Sequence, residues 1–465
     1  MNITVLGGHK EIGGNKILVE HKGTKILLDF GMSFSQAGKY FSEFLQPRKC
    51  ASLTDFFEFG LLPRIKGIYR EDYLRHMNMA KEEKEVDGVF ISHAHADHAQ
   101  YIHFLRFDIP IYCTRATEVI LRVLEETGSN TLSEFITACE AFTFYTNRKG
   151  TLSRVTRKNT DFVHVRDIEV MEAYQRVKVG SLEVELVPVD HSLPGACGYI
   201  IYSDAGNLVY TGDIRFHGSN QELSKEFVKR AKAAEPRWLL SEGTRIDSKE
   251  RDSEEGVKRK IAEFIAESKS QLVFVEHPIR DLDRVTSIFE AAKENNRHFV
   301  VNLKLAYLIN ELDDLCPFAL DEVKILVPRK SWGLIDKEGI DSRLVEQDYS
   351  VWERGFINRA NCITYRELRR NPAKYVVSMS LWELNQLTDI KPSSDAIWIK
   401  SSCEPFCDEM ELDEERKRNW LDHFKIKEYF AHASGHASGD EIRAMIKEIN
   451  PEELIPIHTE HPELF

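Results

Sequence analysis

The chain has 465 residues, of which 42% are hydrophobic and 29% charged, a composition that excludes the disordered, fibrous and membrane-spanning classes. That length exceeds one ordinary hydrophobic core, so two domains are expected. A formal net charge of −13 argues against anion binding by the whole surface, while leaving room for a local basic groove.

In chain order, Ile3–Leu6 reads as a strand ending at Gly7-Gly8. The runs Lys16–Glu20 and Lys25–Phe30, joined by His21-Lys22-Gly23-Thr24, read as a hairpin. Asp29 interrupts its second strand. A carboxylate there is costly unless hydrogen-bonded or near a cation, so Asp29 is either a turn residue or a support beneath metal ligands. Residues 33–87 lack a period-2 pattern and read as short helices, including a charged one around Arg75–Val86.

The apolar run Gly88–Ile91 reads as a buried strand, and it delivers Ser92-His93-Ala94-His95-Ala96-Asp97-His98. His93 and His95 alternate in an extended chain, so both rings can face one ion. Asp97 and His98 then turn toward a second position nearby. Imidazole and carboxylate are what Zn²⁺ prefers, at about 2.0–2.2 Å. A merely histidine-rich polar loop would not need four ligand types at this spacing. The cluster is therefore read as a metal site.

Downstream, Gln100–Arg106 reads as helical and Ile109–Cys113 as a strand. Thr114 is placed to cap a helix carrying Val119, Ile120, Val123 and Leu124 on one face. Asn147–Lys158 holds five basic residues and no acid, which is either a solvated hairpin or a phosphate-contacting edge. Leu182–Val189 delivers Asp190-His191, and a hairpin over Tyr199–Tyr210 runs into Thr211-Gly212-Asp213. From Trp238 onward strands and helices alternate, which argues for a parallel-sheet α/β unit. Trp352–Arg370 interleaves aromatics with arginines, a composition suited either to base stacking or to a core with a basic face. The tail offers the small-residue loop Ala433–Ser438 before a helix, where backbone N–H groups could meet an anion, and then Leu454–Ile457 delivering His458. The eight cysteines are scattered. Cys403 and Cys407 are the closest pair, and structural thiols are a simpler reading there than a zinc knuckle.

The pattern His-x-His-x-Asp-His with later His191, Asp213 and His458 resembles the metallo-β-lactamase fold in its nucleic-acid-processing branch. Glu242 in Ser-Glu-Gly-Thr, His436 in Ser-Gly-His and His458 in Pro-Ile-His match the marker motifs of the β-CASP group. Gly7–Asn15 resembles the opening of ribonuclease J and its shorter prokaryotic relatives. Two departures stand out, a long stretch between Asp29 and His93 and Thr459 where that family usually has Gly. The chain also ends soon after His458, without the C-terminal domain of bacterial ribonuclease J, which leaves its mode of oligomerisation open.

The resemblance implies an αββα sandwich over residues 1–236 and 401–465, with an α/β β-CASP domain over 237–400 inserted in it. It implies two Zn²⁺, with Mn²⁺ as the alternative ion. One would be held by His93, His95 and His191 and the other by Asp97, His98 and His458, with Asp213 bridging and Asp29 in support. The implied activity is a phosphodiesterase that cleaves single-stranded RNA, in exo or endo mode, by a metal-bridged hydroxide and leaves 5′-phosphate ends. Asp97, His436 and Glu242 would be catalytic, and Ser434, Gly435 and His436 would meet the substrate phosphate. RNA is the first expected partner and DNA the second, with a second copy of the chain as a further candidate and no membrane. A β-CASP DNA nuclease and a non-catalytic RNA-binding scaffold are the competing readings. The opening residues show no signal-peptide pattern and no apolar run is long enough to span a bilayer, so a cytoplasmic setting is expected.

Overall fold

The computed structural model describes the chain except for residues 43, 129–131, 250–251 and 406–407. Cys407 therefore lies outside the described residues, and the seven described cysteines are free thiols. The described residues form two compact units. Met1–Phe216, Asn220–Glu250 and Gly435–Phe465 make the first, and His217–Ser219 with Arg251–Ser434 make the second. No helix among the described residues is long and apolar enough to cross a membrane.

The first unit is built on two six-stranded sheets. One runs in the order Asn2–Gly7, Lys16–His21, Thr24–Leu28, Gly88–Phe90, Ile111–Cys113 and Ile168–Val170. The other runs Arg176–Val179, Leu182–Pro188, Cys197–Tyr202, Asn207–Tyr210, Pro236–Ser241 and Glu453–Pro456. Strand alternation sends Ile17, Val19, Ile26, Leu28 and Phe90 of the first sheet against Val184, Leu186, Tyr199, Ile201, Tyr210 and Leu240 of the second. The opposite face of the second sheet, with Val187, Ile200, Val209 and Leu239, is covered by Phe227, Val228 and Ala231 of helix Gln221–Ala233 and Met445 and Ile449 of helix Gly439–Ile449. Helix Arg115–Thr127 belongs to the first sheet's outer layer and starts at Thr114, whose hydroxyl accepts from Thr117 N as its spacing predicts. The result is the αββα arrangement.

The second unit carries a seven-stranded sheet that is parallel throughout, in the order Cys362–Ile363, Lys324–Leu326, His298–Val301, Tyr375–Ser378, Val273–Glu276, Ile397–Lys400 and Lys427–Phe430. This is the α/β unit that the alternating pattern after Trp238 predicts. Sheet pairing sets where one unit yields to the other. Pro236–Ser241 pairs on both sides within the first unit, and Lys427–Phe430 extends the second unit's sheet. The units thus change over near 250 and 434.

The segment 33–87 holds short helices at Phe34–Ala37, Ser52–Glu58 and Glu71–His76. The charged helix expected around Arg75–Val86 is absent; its residues belong to the end of Glu71–His76 and to coil. Asn78 adopts a left-handed φ of 56°, which stops the helix after one and a half turns. The segment is anchored by a buried network instead. Arg70, fully buried, donates from Nη1 to Glu134 Oε2 at 2.8 Å and from Nη2 to Asp72 Oδ2 at 2.6 Å and the Cys139 carbonyl at 3.2 Å. Breaking a buried pair leaves an uncompensated charge, at about 3–5 kcal/mol. Arg70→Ala should therefore shift the urea midpoint of this unit strongly toward lower denaturant, and a shift worth under about 1 kcal/mol would show that the network contributes little.

Candidate metal centre

Every ligand-type residue singled out in the sequence follows the carboxyl end of a strand or precedes a helix of the first unit. His93, His95, Asp97 and His98 follow strand Gly88–Phe90, and His191 follows Leu182–Pro188. Asp213 follows Asn207–Tyr210, Glu242 follows Pro236–Ser241, and His458 follows Glu453–Pro456. His436 lies on the loop before helix Gly439–Ile449. Carboxyl ends are where irregular backbone leaves the sheet, so side chains from different strands can converge there.

They do converge. Atoms of His93, His95, His191 and Asp213 that could bind a metal lie within 4.8 Å of one another, as do those of Asp97, His98 and His458. Asp213 links the two groups. Its Oδ2 lies 3.5 Å from His93 Nε2, 3.8 Å from His191 Nε2 and 3.1 Å from His98 Nε2, and its Oδ1 lies 3.8 Å from His458 Nε2. Asp97 Oδ2 is 3.1 Å from His458 Nε2. A third group joins Asp213 to Glu242 and His436, whose Nδ1 is 3.1 Å from Glu242 Oε1.

The surroundings fix the rings. Ser92 donates its hydroxyl to Asp29 Oδ2 at 2.8 Å, so its oxygen accepts from His93 Nδ1 at 3.0 Å. His98 Nδ1 donates to Asp29 Oδ2 at 2.7 Å. His191 Nδ1 donates to the Gly435 carbonyl at 2.6 Å. In each case Nδ1 is taken by a fixed partner and Nε2 faces the centre, the orientation a metal ligand needs. Asp29 is the hub. It also accepts from Ser92 N at 2.7 Å and from the Tyr210 hydroxyl.

The residues present fit a metal. His98 Nε2 and Asp213 Oδ1 are buried atoms without any hydrogen-bond partner, a cost that a cation would remove. In the metal-free chain the histidines take divergent states. Burial, reinforced by neighbouring histidines, holds His93 and His191 well below the ordinary imidazole range. Burial acts on His98 in the same sense, but Asp213, Asp29 and Asp97 outweigh it and raise its pKa well above that range. Burial would raise the Asp97 carboxyl, yet His98 and His458 keep it low. Zinc suits this set of imidazoles and carboxylates.

Two glycine loops press on Asp97. A Cβ at Gly13, where φ is +81°, would sit 2.7 Å from Asp97 Cβ, and one at Gly31 would sit 1.7 Å from the Asp97 carbonyl oxygen. Lys16, fully buried, ties these loops by donating to the Gly14 and Gly31 carbonyls, both at 2.8 Å, and burial brings its amine down to about 8. A further tie is the buried pair Arg215 Nε to Asp190 Oδ1 at 3.1 Å, between the neighbours of His191 and Asp213. Sequence reasoning missed Ser92, Tyr210, Lys16 and Thr244. Each is adjacent to a motif and has an ordinary structural alternative, so no spacing rule marks it.

Ser434 falls in the second unit, where its carbonyl accepts from His217 Nε2 at 3.0 Å. The Gly435 carbonyl is taken by His191. The aromatic and arginine stretch also turns out to be used internally. Phe356 is buried, Tyr307 packs on Trp352 and Phe356 at 5.5 and 5.6 Å, and Tyr365 lies 5.0 Å from Arg329 and 5.1 Å from Arg369. The large aromatic side chains exposed among the described residues of this unit are Trp332, Trp382 and Phe430.

Residues 423–464 match the family model for the Zn-dependent metallo-hydrolase RNA specificity domain. The chain is 23% identical to Ribonuclease J of Mycoplasma genitalium over 469 residues, covering 98% of this chain and 68% of that protein. It is likewise 23% identical to Ribonuclease J of Pyrococcus abyssi over 483 residues, covering 99% and 90%. A solved structure of an Enterococcus faecalis protein of unknown function superimposes with a TM-score of 0.73 at 25% identity, covering 100% of this chain and 95% of that one. Fold and sequence likeness together define a metallo-β-lactamase protein with a β-CASP insertion. Within that class the chain is a ribonuclease J-like protein.

If Asp29 holds His98 toward a metal, Asp29→Asn should weaken zinc binding by about 10–100-fold, the usual effect of losing a ligand's supporting partner. Competition against a zinc indicator measures this, and an unchanged affinity would reduce Asp29 to a packing role.

Proposed function

We propose that this centre binds two zinc ions and cleaves single-stranded RNA. The coarser statement, a metal-dependent hydrolytic ribonuclease of the ribonuclease J type, rests on the relatives named Ribonuclease J along nearly the whole chain and on the RNA specificity domain. The observation that carries the finer reading is the completeness of the donor set. Seven ligand-type side chains fall into two groups sharing Asp213, and a histidine–glutamate pair stands beside them. A non-catalytic scaffold would have no use for all of them.

Zinc, when bound, supplies Lewis-acid polarisation of phosphoryl oxygens and makes water a nucleophile near neutral pH. The protein's part is positioning. His93, His98, His191, Asp213 and His458 are sealed from solvent, with side chains at most 1% exposed, whereas Asp97 at 15% and His436 at 19% lie on the open side. Substrate therefore approaches past Asp97 and His436. Burial would lower the His436 imidazole, but the adjacent Glu242 and Asp213 raise it to about 9 in the metal-free chain. A cationic imidazole donates from both nitrogens. Glu242 takes Nδ1–H, and Nε2–H is the donor assigned to a phosphate oxygen as charge develops on it. Glu242 is held for this by Ile214 N at 2.9 Å and Thr244 N at 3.1 Å.

The basic segment Asn147–Lys158 forms an exposed hairpin, with Phe144–Thr146 paired to Leu152–Arg154. In a chain of charge −13 it is the natural place for a polyanion's backbone. Of its cations, Arg157 has a carboxylate nearby, Glu125 at 3.5 Å.

His436→Ala should slow cleavage by about 10²-fold or more, the size seen when a transition-state donor is lost, with substrate affinity changed much less. Single-turnover rates at saturating RNA separate the two. A held rate with weakened binding would make His436 a phosphate anchor.

Matched 5′-labelled RNA and DNA strands, single and duplex, tested with and without chelator, address the substrate. Single-stranded RNA should be cut fastest and chelator should stop it. Replacing Arg148 and Lys149 with Gln should weaken RNA binding and flatten its salt dependence by about 0.7 in log–log slope per lost phosphate contact. Equal or faster cleavage of single-stranded DNA would favour the DNA-nuclease reading.

A further inference from the structure

Thr244 is not of a metal-binding type, and it sits two residues beyond Glu242 on the loop leaving strand Pro236–Ser241. Its hydroxyl lies between two members of the site. Oγ1 is 2.8 Å from Glu242 Oε2 and 2.8 Å from His458 Nδ1. A hydroxyl has one proton to give and can accept two, so the two contacts cannot both be donations.

The surroundings decide which way the proton points. Glu242 is fully buried and receives N–H groups from Ile214, Thr244 and His436. With three N–H groups converging on its two oxygens, Glu242 is the accepting partner throughout this set. If the hydroxyl gave its proton to His458, its oxygen would face the carboxylate oxygen at 2.8 Å with no proton between them. The hydroxyl therefore donates to Glu242 and accepts from His458. His458 then presents Nδ1–H to the hydroxyl, and its Nε2, which lies 3.1 Å from Asp97 Oδ2 and 3.8 Å from Asp213 Oδ1, is the nitrogen left for a metal.

The need for such a tie is local. His458 has a left-handed φ of 50°, a conformation that costs a non-glycine residue free energy. Its backbone is pinned by donation to the Gly8 carbonyl at 2.7 Å. The ring's orientation about its own torsions still has to be set, and Thr244 meets its Nδ1. His93, His98 and His191 obtain the same service from Ser92, Asp29 and Gly435. Thr244 differs in that its donated proton ends on Glu242, the partner of His436.

We infer that Thr244 is a positioning residue that holds His458 through its Nδ1 and couples its orientation to the Glu242–His436 pair. This rests on the reading of His458 as a metal ligand and deepens it. Losing a ligand's supporting partner costs about 10–100-fold in metal affinity, so Thr244→Val should weaken one of the two zinc ions by that factor. Thr244→Ser, which keeps the hydroxyl, should bind zinc like the parent.

Two measurements need no substrate. The first is zinc affinity by indicator competition for the parent, Thr244→Val, Thr244→Ser and His458→Ala. The second is the long-range ¹⁵N spectrum of histidine rings in the zinc-loaded protein, with the His458 signal assigned by its loss in His458→Ala. The expected result is a slowly exchanging Nδ1 proton on His458 in the parent and in Thr244→Ser, and a rapidly exchanging one in Thr244→Val, where its hydroxyl partner is gone. An Nε2–H pattern in the parent would overturn the inference without recourse to any variant. So would parental zinc affinity in Thr244→Val, or a loss in Thr244→Ser as large as in Thr244→Val. Unchanged zinc affinity in His458→Ala would overturn the ligand assignment itself, and the Thr244 inference with it.

Discussion

The structure depends on keeping three carboxylates and five imidazoles together in a region from which water is largely excluded. Asp29, Asp97 and Asp213 are stabilised by histidines and by backbone or hydroxyl donors, and each of these histidines is in turn oriented by a fixed partner. Left metal-free, the arrangement gives His98 Nε2 and Asp213 Oδ1 charged neighbours but no well-formed hydrogen bond. Burial of an unsatisfied polar atom costs on the order of 1–3 kcal/mol. A fold that accepts two such atoms side by side is shaped for a cation. The same constraint explains why the supports are rigid, with Asp29 and His458 both held in left-handed backbone conformations.

The two sheets of the first unit make that rigidity affordable. Their facing sides form a continuous apolar core, so the strands that end at the site cannot slide. Loops leaving their carboxyl ends need only short spans to bring His93, His191, Asp213, Glu242 and His458 together. Glycines at 13 and 31 allow backbone to approach Asp97 more closely than any side chain would permit. Lys16 then locks both loops from beneath. The chemistry is thus set by contacts made two or three residues away from the groups that would perform it.

Much of this could be read from the sequence because its strongest signals are local. His93, His95, Asp97 and His98 announce themselves by residue type and spacing, and the period-2 strands that deliver His191, Asp213 and His458 end where the polar residues begin. The parallel sheet of the second unit follows from its alternation of strands and helices. What could not be read has a common cause. Lys16 looks like a strand residue, Tyr210 like core and Thr244 like a loop residue, and their roles arise only from long-range hydrogen bonds. The helix expected over Arg75–Val86 failed because charge pattern alone does not sustain a helix past a left-handed Asn78. The stretch Trp352–Arg370 was open to two readings for a related reason, since arginines over aromatic rings satisfy one another within the unit as readily as they bind nucleic acid.

The account's central claim is that two ions share Asp213 at this centre. Anomalous diffraction at the zinc edge, from crystals of protein purified without chelator and supplied with Zn²⁺, tests it directly. Two peaks are predicted, one among His93, His95 and His191 and one among Asp97, His98 and His458, with an Asp213 oxygen within bonding distance of each. The absence of a peak among these residues, or a single ion that leaves the Asp97, His98 and His458 group empty at saturating zinc, would contradict it.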